Sequence, residues 1–129
     1  MNARLLFYPL CAAVLTAGVC QPTLVGGDPR LQDIKLPEGF TIESYAEKVD
    51  GARQMCFGTR GTLFVSTRDK NVYALSDDDL DGKPETQHLI AQGLVMPNGV
   101  AFKNGSLYVA EVHRILRYDS IESKLAAPP

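Results

Sequence analysis

An acidic segment near the middle of the chain carries the densest cluster of potential metal ligands. The string DDDLDG at 77–82 places carboxylates at alternate positions, Asp77, Asp79 and Asp81, followed by Gly82. Oxygen ligands at the first, third and fifth positions of a loop can wrap a hard cation such as Ca²⁺, and glycine permits the sharp turn that follows. His88 stands at the twelfth position, where an EF-hand has a bidentate glutamate. The segment therefore predicts either a partial calcium loop or a solvated acidic turn.

Polar side chains also stand at the ends of predicted strands. In an antiparallel hairpin, the start of the first strand and the end of the second lie at the same end of the sheet. Arg53 and Gln54 should therefore lie near Arg68, and Asn98 should lie near Glu111. Guanidinium groups pair bidentately with carboxylates, so this end is a candidate site for an anionic cofactor, with these five residues as its contacts. The alternative is that the arginines form structural salt bridges between neighbouring sheets.

Short apolar or alternating runs separated by turn residues must position these groups. Such runs are typical of β-strands, and nothing beyond residue 33 shows a helical period. The predicted strands are 40–45, 52–57, 62–67, 72–75, 87–91, 98–102, 106–110 and 114–118. The fold class is therefore all-β.

An internal repeat refines that class. The string GTLFVS at 61–66 recurs as GSLYVA at 105–110, and MCF at 55–57 recurs as VAF at 100–102. A period of ~40 to 50 residues with four strands is typical of a β-propeller blade, while a repeated hairpin in a β-sandwich is the alternative. The chain holds one full period and most of a second, so we expect a partial propeller of about one and three-quarter blades.

Several strings resemble the N-terminal part of the sorbosone dehydrogenase group of quinoprotein sugar dehydrogenases. They are LPEGF at 36–40, GARQM at 51–55, GTLFVSTR at 61–68, MPNGVAF at 96–102, LYVAE at 107–111 and RILRYD at 114–119. The resemblance runs from about Leu36 to the last residue. It implies a six-bladed propeller that oxidises an aldose or sorbosone-like sugar, with pyrroloquinoline quinone (PQQ) on one face and calcium assisting.

No position matches the general-base histidine of that family, which lies in later blades. His88 and His113 are therefore not assigned to catalysis, the catalytic residues stay unidentified, and the chain is expected to be inactive by itself. The string PNGVAF at 97–102 also resembles the gluconolactonase group, in which an asparagine like Asn98 reaches a central metal. A calcium-dependent lactonase-like hydrolase and a non-catalytic binding propeller are therefore the alternative functions.

The first twenty residues are typical of an export signal. Met1 to Arg4 carry one positive charge, and the 16 residues from Leu5 to Cys20 carry none. This run is shorter than the ~20 apolar residues of a membrane span and contains Pro9, which favours a cleaved signal at 1–20 over a retained anchor. A polar linker at 21–33 and the propeller region at 34–129 should follow.

Cleavage would leave Cys56 as the single thiol and exclude an intramolecular disulfide in the exported chain, which is expected in the bacterial periplasm or secreted. Cys20 is an alternative lipid-attachment site, although Val19 stands where a lipobox has a small residue. The net charge of -2 and the lack of a basic run argue against a nucleic-acid partner. The expected partner is a small sugar, and no stable membrane span should remain after cleavage.

Blade faces without neighbours should leave apolar side chains partly exposed to water. Phe57, Leu63 and Val65 are the residues expected to show this.

Overall fold

The computed structural model describes residues 29–129. The predicted signal peptide, the lipid-attachment cysteine and the first part of the predicted linker lie outside the described residues. The chain divides into two compact units between Glu43 and Ser44. In residues 29–129 there is no helix long and apolar enough to cross a membrane.

The described part of the first unit has little regular structure. Pro29–Asp33 forms a 3₁₀ turn, and the Phe40 backbone N–H donates to the Pro37 carbonyl at 3.2 Å. Gly39 adopts a φ of 86° in that second turn, which glycine reaches without a steric penalty. The side chain of Phe40 is 66% exposed.

The second unit is built from seven antiparallel strands. They are β1 (Ala52–Phe57), β2 (Leu63–Thr67), β3 (Val72–Ser76), β4 (Thr86–Ala91), β5 (Gly99–Lys103), β6 (Ser106–Ala110) and β7 (Ile115–Tyr118). Each lies within one residue of a predicted strand. The prediction of a strand at 40–45 was wrong, because no neighbouring strand pairs with that run and Tyr45 instead packs its ring onto one face of a sheet.

The strands form two separate sheets, and neither is closed. The first sheet has the order β1-β2-β3-β4 and the second has the order β5-β6-β7. Every connection within a sheet is a hairpin; the β5–β6 loop is Asn104-Gly105, with φ of 51° and 77°. Two successive positive φ values produce the twist that a two-residue hairpin needs, and Asn-Gly adopts them readily. The all-β prediction is confirmed, and the strands form two open antiparallel sheets of four and three strands.

The main core lies between the two sheets. Phe64, Val72 and Ala74 form the inner face of the first sheet, and all three are 0% exposed. They pack against the inner face of the second sheet, which contains Leu107 and Val109. The Phe64 ring also stacks on Phe102, with a centroid separation of 5.7 Å and an interplanar angle of 11°. Burial of these large apolar side chains joins the sheets into one unit.

The outer face of the first sheet has its own small core. Leu63, Val65 and Leu75 are buried there under the irregular segment 44–49, which contributes Tyr45, Ala46 and Val49. The prediction that Leu63 and Val65 would be partly exposed to water was wrong, because this segment covers them. Phe57, at the uncovered edge of the same face, is 63% exposed as expected.

A carboxylate from the end of the chain ties the two sheets together at one end. Glu122 accepts hydrogen bonds from the Thr59 hydroxyl at 2.7 Å and from the Arg60 backbone N–H at 2.9 Å. Both donors lie in the β1–β2 turn. The same carboxylate lies close against Gly58, so a side chain at this position would require Glu122 to shift.

Candidate functional site

The predicted site residues come from the ends of strands that lie side by side. β1 and β5, the first strands of the two sheets, are in contact. Arg53 is the extra residue of a β-bulge, since Ala52 pairs with Thr67 and Gln54 already pairs with Ser66. A bulge redirects the side chain of its extra residue. Arg68 directly follows β2, and its backbone N–H donates to the Gly51 carbonyl at 2.9 Å.

Both arginines line one cleft of about 320 Å³, which we call the arginine cleft. Its lining residues are Arg53, Thr67, Arg68, Met96, Pro97 and Asn98. Within residues 29–129 neither guanidinium group forms an ion pair or hydrogen bond, so the predicted alternative of salt bridges between sheets is not seen in that range. Among residues 29–129 the cleft therefore offers two unpaired cations, and Asn98 also lines it.

A second concavity of about 420 Å³ adjoins the arginine cleft. It is lined by Gln54, Met96, Asn98, Gly99, Ala110, Glu111 and Val112. Met96 and Asn98 belong to both, so the structure distributes the five predicted residues over two adjoining hollows. Arg53 and Arg68 line the first, Gln54 and Glu111 line the second, and Asn98 lines both.

Glu111 is engaged within the protein. Its side chain is 0% exposed; one carboxylate oxygen accepts the Val95 backbone N–H at 2.6 Å, and the other accepts the Arg114 Nε–H. The bond from Arg114 and then the bond from Val95 hold the pKa of the Glu111 carboxyl below its ordinary value. Because both oxygens are occupied, Glu111 shapes the cleft by holding the Val95–Met96 segment in place.

Sequence reasoning missed Met96 and Thr67, which also line the arginine cleft. Met96 has a φ of 47°, although it precedes a proline and would ordinarily be extended. Thr67 is 1% exposed, and its hydroxyl donates to the Asn71 carbonyl at 3.1 Å. An apolar residue before proline and a threonine in a strand are common in any β-protein, so their types gave no signal of this location.

The acidic segment forms a compact loop between β3 and β4. One carboxylate oxygen each from Asp77, Asp79, Asp81 and Glu85 lies within 4.8 Å of the others. Ligand oxygens lie 2.3 to 2.6 Å from a Ca²⁺ ion, so two ligands of the same ion are at most about 5 Å apart. The separation of these four oxygens is therefore small enough for them to share one ion. The same carboxylates accept backbone N–H groups of the loop, and Asp77 accepts those of Asp81 and Gly82 at 3.1 and 3.0 Å. The loop is therefore stabilised by its own hydrogen bonds as well.

The loop lies at the opposite end of the first sheet from the arginine cleft. Asp77 follows β3 beside the β1–β2 turn and lines a hollow with Arg60, Thr62, His88 and Glu122. Arg53 and Arg68 are at the other ends of β1 and β2. A cation held by the acidic loop would therefore not touch a ligand in the arginine cleft.

No protein-family model matches the chain, and neither a similar curated protein nor a similar solved structure was found.

Proposed function

We propose that the chain is the N-terminal part of an exported β-propeller quinoprotein dehydrogenase, and that the arginine cleft binds PQQ. The observation that carries this proposal is the pair of guanidinium groups without a carboxylate partner in the described range, at the place where the first strands of two sheets meet. A tricarboxylated quinone supplies the charge that such groups pair with most strongly. The sequence resemblance supplies the expected substrate, an aldose or a sorbosone-like sugar.

Packing of the two sheets supports the propeller part of the proposal. The repeat makes Leu107 and Val109 equivalent to Leu63 and Val65, which lie on the outer face of the first sheet. The first sheet thus packs its inner face against the face of the second sheet that corresponds to its own outer face. Sheets arranged in this way follow one another in a series, as propeller blades do, whereas a sandwich of two equivalent sheets would bring like faces together.

The chemistry assigned to this chain is cofactor binding. PQQ, when bound, supplies the redox chemistry of sugar oxidation. Arg53 and Arg68 would hold its carboxylates, and Asn98 would orient it through amide hydrogen bonds. The described residues that line the arginine cleft include no aspartate, glutamate or histidine, and no proton-transfer step is assigned to them.

The lactonase-like alternative requires a metal beside Asn98. Among the described residues that line the two hollows around Asn98, Glu111 is the one carboxylate, and Arg114 and Val95 already donate hydrogen bonds to it. The geometry therefore supports the quinoprotein proposal better.

Replacement of Arg53 or Arg68 by glutamine tests the proposal. Each change should weaken PQQ binding by about ten- to a hundredfold, because it removes a charge-assisted hydrogen bond to a carboxylate. The measurement is calorimetric titration of the chain with PQQ. Arg60→Gln is the matched control, since Arg60 is an exposed arginine at the opposite end of the same sheet and should leave the affinity unchanged. Equal losses for all three variants, or no PQQ binding by the unchanged chain, would overturn the proposal.

Calcium, the second cofactor implied by the resemblance, fits the acidic loop. We expect binding with a dissociation constant on the order of 10⁻⁴ to 10⁻³ M, as in extracellular calcium modules. Tyr45 reports on the loop, because burial raises the pKa of its hydroxyl and the charges of Asp77 and Glu85 raise it further. Bound Ca²⁺ should offset those charges and lower the Tyr45 pKa, which absorbance titration with and without Ca²⁺ would measure.

Asp79→Asn with Asp81→Asn should abolish this calcium effect, whereas Asp50→Asn, an exposed aspartate outside the cluster, should preserve it. PQQ affinity should be the same with and without Ca²⁺, since the loop and the arginine cleft lie at opposite ends of the sheet. If the Tyr45 pKa did not respond to Ca²⁺, the segment would be an acidic turn that does not bind calcium.

A further inference from the structure

A methionine with a left-handed backbone conformation lies where the two hollows meet. Met96 belongs to the loop between β4 and β5, lines both the arginine cleft and the adjoining hollow, and is 57% exposed. Its φ of 47° is one that residues with a Cβ rarely adopt, and a residue before proline is ordinarily extended. Backbone strain of this kind persists where surrounding contacts hold it, and it concentrates at ligand-binding sites.

Met96 is held in this conformation through the residue before it. The Val95 backbone N–H donates to the Glu111 carboxylate at 2.6 Å, and the Val95 carbonyl accepts the Val112 N–H at 3.3 Å. The Glu111 side chain is 0% exposed and pairs with the Arg114 guanidinium, which provides the partner that a buried carboxylate requires. A buried ion pair therefore fixes the backbone from which the Met96 side chain reaches the hollows.

The arginine cleft combines positive charge with one exposed apolar side chain. Arg53 and Arg68 supply the charge, and Met96 supplies the apolar surface. Pro97, the other apolar residue among the described lining residues, is less than 2% exposed. The methionine thioether makes favourable contacts with aromatic rings, with the sulfur ~5 Å from the ring. An aromatic ring that carries several carboxylates would therefore contact both kinds of surface.

We propose that Met96 makes the arginine cleft selective for aromatic polycarboxylates by packing on the ring of the ligand, and that Glu111 is the positioning residue for this contact. The proposal rests on the proposed function, because it uses the same cleft and the same arginines, and PQQ is one ligand of this class. Arg53 and Arg68 respond to carboxylates of any kind, so discrimination between a ring and an aliphatic body comes from Met96. The residues involved lie on the two described sheets and on the loop that joins them.

Two tricarboxylates test the selectivity: trimesate, which carries its carboxylates on a benzene ring, and citrate, which has no ring. In calorimetric titration, Met96→Ser should weaken the binding of trimesate and of PQQ by about tenfold, because the ring contact is lost. Citrate binding should be unchanged. Met55→Ser is the matched control, since Met55 is 59% exposed and is not among the described residues that line either hollow. It should preserve the affinity for all three ligands.

Glu111→Gln tests the positioning role. It should weaken trimesate binding by up to about tenfold, the whole effect of Met96→Ser, and leave citrate binding unchanged, whereas a general loosening of the cleft would weaken both. Added to Met96→Ser, it should cause no further loss, because two residues that act through one contact are not additive. Met96→Leu, which keeps a large apolar side chain in place, should retain trimesate affinity to within about threefold.

The outcomes separate this proposal from that of PQQ binding. Trimesate binding that depends on Met96, in a chain that does not bind PQQ, would support the selectivity and overturn the PQQ proposal. PQQ binding that Met96→Ser leaves unchanged, or equal losses for trimesate and citrate, would overturn the selectivity alone. No trimesate binding by the unchanged chain would also overturn it. Additive losses from Met96→Ser and Glu111→Gln would refute the positioning role.

Discussion

Phe64→Ala is expected to lower the free energy of unfolding by about 3 to 5 kcal/mol. The Phe64 side chain is 0% exposed and lies where the two sheets meet, stacked on Phe102. Alanine would leave a cavity bounded by both sheets, and neither sheet can close it without losing contact with the other. Because small domains have a net stability of about 5 to 15 kcal/mol, this loss would bring the protein close to unfolding at room temperature.

Urea denaturation followed by far-ultraviolet circular dichroism would measure the change. Phe57→Ala is the matched control, because Phe57 lies in the adjacent strand of the same sheet but is 63% exposed. Its replacement should cost less than about 1 kcal/mol, since most of the ring already contacts water. Similar losses for the two variants would show that the sheets are not joined through the Phe64 face.

Glu111→Gln is expected to lower the melting temperature by several degrees at neutral pH. It should also make the melting temperature change less as the pH falls. The buried carboxylate holds Arg114 and the Val95 backbone N–H together. Glutamine has nearly the same shape as glutamate, but its amide has one oxygen and one NH₂ group. The NH₂ group would therefore face either the Val95 N–H or the Arg114 Nε–H, which are themselves donors. The substitution therefore removes a charge-assisted bond and leaves a buried donor unsatisfied.

The pH dependence follows from the lowered pKa of Glu111. Arg114 and Val95 favour the charged form in the folded state, so the unfolded chain binds a proton more readily. The stabilisation is complete above the unfolded carboxyl pKa of about 4.3 and is lost as the pH falls through the lower pKa of the folded state. Asp119, whose pKa is lowered by the Ser106 hydroxyl and then by Arg117, contributes with the same sign.

Melting curves recorded from pH 7 down to about pH 3 would cover this loss, since the window begins near the unfolded carboxyl pKa. The Glu111→Gln variant should lose less stability over that range than the unchanged chain. Glu47→Gln, which alters an exposed carboxylate, should keep the original profile. If Glu111→Gln and the unchanged chain lost stability in parallel, Glu111 would not be the group that links folding to acid in this way.

Strand positions could be read from the sequence because their causes are local. Alternating apolar residues and turns such as Asn104-Gly105 depend on neighbours within a few positions, and seven of the eight predicted strands form. The proximity of Arg53 and Arg68 was also local, because a hairpin brings its own ends together. The failed strand at 40–45 shows the limit, since an alternating run needs a partner strand and no feature of the run itself supplies one.

The residue types and spacing by themselves determined an all-β chain, its internal repeat, the hairpins that carry the candidate site and the acidic segment between β3 and β4. Tertiary structure decided which groups remain available to a ligand. Arg53 and Arg68 have no carboxylate partner in the described range, whereas Glu111 is hydrogen-bonded to Arg114 and Val95. The acidic loop lies at the opposite end of the first sheet. Tertiary structure also covered Leu63 and Val65 with residues 44–49. These outcomes depend on contacts between segments distant in sequence, where packing and burial select among partners that the local pattern leaves equivalent.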